Sequence, residues 1–150
     1  MGEYRCEAAS LEGFIQQLAV SYLTHGYWFY VTGRVPEGKD PRAVDRKLIE
    51  RYTVDVSKRS RARRRQLGHA SVQYLRYGRF FVLLATHGRH LFFEREAGQV
   101  RDARRVPIRL GGYAVSFRGG HAHVRIEQGE YLRLKDHLVA LGAHRRSEAL

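Results

Sequence analysis

Val72-Gln73-Tyr74-Leu75-Arg76-Tyr77 and Phe80-Phe81-Val82-Leu83-Leu84-Ala85 decide the fold, with only Gly78-Arg79 between them. Two runs rich in aromatic and branched residues, joined by a two-residue connection containing glycine, have the spacing of a β-hairpin. Downstream, Arg89 to Glu94 is expected to extend this meander after a turn at His87-Gly88, and Gly98 to Arg105 reads as a charged connection. Val106 to Leu110 reads as an edge strand and Gly111-Gly112 as a turn or bulge. Tyr113 to Phe117 and Ala122 to Ile126 then alternate about Gly119-Gly120, a second hairpin. A final helix is expected over 130–141, with Leu134, Leu138 and Leu141 on one face and Gly142 as its stop.

Upstream of the hairpin the pattern is helical. Ser10 is placed to cap a helix carrying Leu11, Phe14, Ile15, Leu18 and Tyr22 at helical spacing, and Gly26 ends it or turns the chain. Tyr27-Trp28-Phe29-Tyr30-Val31 is apolar on both sides, as a central strand is, and Trp28 is expected to be buried. After a loop over Gly33 to Asp40, Asp40-Pro41 is an N-cap followed by proline at the first helical position. Val44, Leu48 and Tyr52 line one side of that helix; Arg46, Lys47 and Arg51 fall largely outside it. Thr53 to Val56, short and β-branched, stays unassigned, and Ser57 caps a further helix that Gly68 stops. The expected fold is α+β: N-terminal helices, an internal basic helix, one antiparallel or mixed sheet of about five to six strands, and a C-terminal helix.

With 150 residues, 43% of them hydrophobic, the chain is long enough for a real core and reads as one domain over 1–150. Cys6 is the only cysteine, which excludes an intramolecular disulfide and a multi-cysteine zinc site. Met1 to Glu12 is polar and charged, unlike a secretory leader, and the longest apolar runs are far too short to span a bilayer. A cytoplasmic protein without a membrane partner is therefore expected.

Charge points to a partner. The formal net charge is +12, from 27 Lys and Arg against 15 Asp and Glu. Between Lys39 and Arg65, eleven basic and four acidic residues contribute +7 of it, and Lys58, Arg59, Arg61, Arg63, Arg64 and Arg65 stand within eight positions. Wound into a helix, this run is basic around most of its circumference, which suits phosphates and not a core. Arg46, Lys47 and Arg51 extend the candidate surface, as do Arg118 and Arg125, which strand alternation turns away from Val115, Phe117, Val124 and Ile126. Arg101, Arg104, Arg105 and Arg109 form a second cluster, readable as a phosphate track or as a charged strand edge that resists aggregation. Tyr4, Tyr74, Tyr77 and Tyr113 are candidates for base stacking or for the core. A nucleic-acid-binding protein, acting on DNA or RNA without a cofactor, is the leading expectation.

The histidines offer a different chemistry. His121-Ala122-His123 sets two imidazoles on one face of a strand, about 7 Å apart, where they can share a divalent metal if His87 or His90 supplies a third ligand. His-hydrophobic-His resembles, over these three residues, the motif of the HUH endonucleases, the tyrosine enzymes of rolling-circle replication and of small single-strand transposases. The resemblance implies a metal on His121 and His123 that polarises the scissile phosphate, with Tyr131 as the attacking nucleophile. A metal-dependent endonuclease is thus the alternative, and a structural member of a ribonucleoprotein assembly is a third. The basic run has almost no apolar face, so a membrane-surface role ranks last.

Overall fold

A computed structural model describes residues 4–127. The helix expected over 130–141 and Tyr131 lie outside the described residues. Ser10 caps α1 (Leu11–Gln16), its Oγ accepting from the Gly13 N–H at 3.0 Å. The helix runs on as a π-helical segment over Gln17–Tyr22 and a 3-10 turn over Leu23–His25, and Gly26 reverses the chain with φ +90°. After β1 (Phe29–Arg34), Asp40 caps α2 (Pro41–Arg51) and Ser57 caps α3 (Lys58–Gln66). Then come β2 (Val72–Tyr77), β3 (Phe80–Ala85), α4 (Leu91–Arg95), β4 (Arg101–Asp102), β5 (Ile108–Leu110), β6 (Tyr113–Arg118) and β7 (His121–Ile126).

The strands form two antiparallel sheets instead of one: β2-β3-β1-β4 and β5-β6-β7. The break follows from β4. After two paired residues the Asp102 carboxylate accepts from the Arg104 N–H at 2.9 Å and turns the chain out of the ladder, and Pro107 offers no donor to resume it. Ala103 links the two sheets through its backbone, donating to the Trp28 carbonyl and accepting from the Phe117 N–H. Arg89 to Glu94 is likewise not a strand. His90 Nδ1 accepts from the Phe92 N–H at 3.0 Å and caps α4, so Phe92 is buried by a helix and not by a sheet edge.

The larger sheet buries both faces, which is why its strands read as nearly continuous apolar runs. Tyr30, Leu75, Val82 and Leu84 pack against Phe14, Leu18 and Leu23 of the α1 segment, with Ile108 and Val115 of the smaller sheet in the same cluster. On the opposite face Val31, Tyr74 and Leu83 meet Leu48 of α2, Tyr52, Val54 and Phe92. Trp28 is half-buried, stacked on Phe117, not enclosed as expected.

One buried charge pair joins α2 to β2. Asp45 and Arg76 are 6% and 3% exposed, and the carboxylate accepts from Arg76 Nε at 2.7 Å, Arg76 NH2 at 2.9 Å and Tyr74 OH at 2.7 Å. The paired carboxylate holds the Arg76 pKa above its ordinary value, while burial drives the Tyr74 phenol up. Such a pair fixes the register of a helix against a strand, since any slip leaves a charge uncompensated.

Candidate nucleic-acid interface

α3 is held at both ends and at one point on its inner side, where Arg61 reaches the Val56 carbonyl. Ser57 Oγ accepts from the Ser60 N–H at 3.0 Å, and Gly68 closes the helix with φ +84°, letting the His69 N–H reach the Arg64 carbonyl at 2.9 Å. Arg89 NH2 donates to the Leu67 carbonyl at 2.9 Å, a cation set where the helix dipole is negative. Gly88 makes that approach possible: a Cβ there would lie 2.6 Å from the Ala70 nitrogen. No residue of α3 is buried.

The six cations of α3 fall into two groups. Lys58, Arg59, Arg63 and Arg65 are exposed; Arg61 and Arg64 are half-buried on the inner side, with Arg61 NH1 donating to the Val56 carbonyl at 2.7 Å. Among the described residues none of the six forms an ion pair, whereas Arg104 pairs with Asp102 at 2.8 Å and Arg109 with Glu127 at 2.9 Å. Arg104 also lies 4.3 Å over the Trp28 ring. Two members of the second basic cluster thus have intramolecular partners. Among the described residues the cations of α3 have no carboxylate partner.

The other expected residues are dispersed. Arg46 and Lys47 are exposed on α2, and Arg51 is half-buried at its end. Arg118 and Arg125 are exposed on β6 and β7, on the polar face that alternation predicts, but they belong to the smaller sheet and not to the helix. Tyr74 is fully buried and unavailable for stacking; Tyr4, half-buried, donates to Gln73 Oε1 at 2.5 Å. Burial raises the Tyr4 phenol as well.

The metal set is not assembled. His121 and His123 share a face of β7, opposite Arg118 and Ser116, and His123 Nε2 stands 3.2 Å from the Arg118 carbonyl. His87 and His90 follow β3 of the other sheet, and His90 Nδ1 is committed to the α4 cap. Among the described residues no three His, Cys, Asp or Glu side chains come together as metal ligands. Strand parity placed the first pair correctly; it carried no information on where the chain would bring a third ligand.

Beside α3, Ser71 carries no sequence signal, and His90 stands out in the sequence only as a metal-ligand candidate. Ser71 precedes β2 and His90 precedes α4, and both border the inner side of α3 with Arg61 and Arg64. Among the described residues no helix is long and apolar enough to cross a membrane. Comparison of the chain with protein-family models, with curated proteins and with solved structures found no match.

Proposed function

We propose that the protein binds nucleic acid, with α3 as the phosphate-contacting element. The observation that carries this reading is the set of six cations on one nine-residue helix that buries nothing and, among the described residues, pairs with no carboxylate. Phosphates supply the compensating charge, and arginine adds planar, bidentate donors to it. Because the caps hold the helix independently of a ligand, the surface is preformed.

The test is a salt series of binding to single-stranded and double-stranded DNA and RNA, with and without divalent metal. Affinity that falls linearly in log–log form, with a slope of about −0.7 to −0.9 per neutralised phosphate, is the expected result. Binding that is absent, or insensitive to salt, overturns the proposal. Tight binding confined to structured RNA would move the reading to an assembly component.

A further inference from the structure

Between the inner side of α3 and the start of β2 lies a notch lined by Thr53, Val56, Arg61, Arg64, Ser71 and His90. Ser71 is 5% exposed. Its N–H donates to Thr86 Oγ1 at 2.8 Å and its carbonyl accepts from the Thr86 N–H at 3.0 Å, but its buried hydroxyl has no partner among the described residues. An unpartnered buried hydroxyl is costly, so a ligand that completes it is favoured.

The lining selects the ligand's charge. Arg61 and Arg64 are the two half-buried cations of α3; Arg61 spends one donor on the Val56 carbonyl and, as a guanidinium, has others left. His90 accepts from the Phe92 N–H at Nδ1, which leaves Nε2 as the protonated nitrogen of the neutral ring. Among the described residues no carboxylate borders the notch. Its room is that of about one water-sized group, too little for a base and enough for one oxygen.

We infer that this notch seats one phosphate oxygen of a nucleic-acid strand lying on α3, with Ser71 and the Arg61 and Arg64 guanidinium groups as its donors. The inference rests on the proposed function and names a subsite within it. The four exposed cations attract the strand without fixing its register; a single seat behind them fixes one phosphate.

The experiment uses the full chain as wild type, Ser71→Ala and Arg61→Lys. Thermal unfolding in inorganic phosphate and in chloride at matched ionic strength is read beside the Kd of a single-stranded oligonucleotide at fixed salt. Ser71→Ala deletes a hydroxyl with no partner, so without ligand its midpoint should equal or exceed that of the wild type. Oligonucleotide affinity should fall about tenfold, the effect of one hydrogen bond to a charged group. The extra protection by phosphate should vanish, and comparison with the wild type removes the general salting-out effect of phosphate. Arg61→Lys keeps the charge but loses the planar donor pair, and should weaken binding to a similar degree. A wild type that binds the oligonucleotide with steep salt dependence, beside a Ser71→Ala variant within twofold of it, overturns the seat and leaves the proposed function standing. Loss of the phosphate effect with unchanged oligonucleotide affinity would assign the notch to free phosphate and overturn the strand assignment. A wild type that binds no nucleic acid overturns both.

Discussion

Asp45→Asn tests the buried pair between α2 and β2, because it keeps the shape of the side chain and removes its charge. Arg76, 3% exposed, would then retain the Gly78 carbonyl at 2.6 Å and the carboxylate of Glu7 at 3.4 Å, the latter on a side chain 53% exposed. Breaking a buried pair from one side costs about 3 to 5 kcal/mol. The remaining partners of Arg76 place the loss at the lower end, about 3 kcal/mol, against a total of roughly 5 to 15 kcal/mol for a domain. Urea unfolding followed by far-ultraviolet circular dichroism measures it, with an unchanged m-value as the check that only stability has moved.

The same energetics predict the opposite result when the whole network is removed. In Asp45→Leu with Tyr74→Phe and Arg76→Met, no buried charge or hydroxyl of the network is left unpaired, and stability should return to within about 1 kcal/mol of the wild type. Arg109→Gln breaks the Glu127 pair, whose side chains are 53% and 30% exposed, and should cost less than about 1 kcal/mol. An Asp45→Asn loss below about 1 kcal/mol, no larger than that of the surface pair, would refute the assignment of Asp45 as the partner that makes a buried Arg76 tolerable.

Replacing Arg59 and Arg63 together by Gln should reduce the salt slope of oligonucleotide binding by about 1.4 for a single strand or 1.8 for a duplex, two phosphates' worth. Thermal stability should not fall with it, since the pair stands at i,i+4 and its repulsion is relieved. Burial lowers the pKa of His90 from its ordinary 6.5, so the unfolded chain takes up the proton first as pH falls. The contribution of His90 to stability is therefore full above about pH 6.5 and is lost as pH falls through the lowered value; His90→Asn, which can keep the α4 cap, should flatten the acid slope in urea titrations from neutral to mildly acid pH. Burial pushes the Cys6 thiol up to about 12. Iodoacetamide at about pH 8 should therefore alkylate the native protein roughly a thousandfold more slowly than the urea-unfolded chain, and equal rates would contradict a buried Cys6.

What was legible along the chain was local chemistry. Ser10, Asp40-Pro41 and Ser57 mark helix starts because each supplies, within three residues, the acceptor that a first turn lacks. Gly78-Arg79 and Gly119-Gly120 mark hairpins because each connection is two residues long and holds a glycine at positive φ. The failures needed a tertiary partner or an uncommon local one. Leu91-Phe92-Phe93 has strand composition, and a histidine cap decided for helix; the two-residue β4 is too short to show any period. Nothing in Val44-Asp45-Arg46 distinguishes the buried Asp45 from a surface carboxylate, because its partner is 31 residues away.

The basic helix combines both kinds of information. Its composition sets its charge, but composition alone does not explain why it is a helix: nine residues with like charges at i,i+3 and i,i+4 and no buried face are unstable on their own. What offsets this is a set of contacts at the ends and the inner side: Ser57 Oγ, Gly68, Arg89 on the Leu67 carbonyl, and Arg61 on the Val56 carbonyl. Two of these four come from arginines that therefore do not act as free surface cations. Arg61 both anchors α3 and borders the notch, so the proposed phosphate seat and the order of the helix would share one side chain. An anion in the notch would neutralise charge on the side of α3 where the helix is tied to the fold, and Ser71 connects that side to β2 of the larger sheet. Under the proposed function, the partner surface would thereby be coupled to the core through one arginine and one serine, and the remaining cations left to the strand.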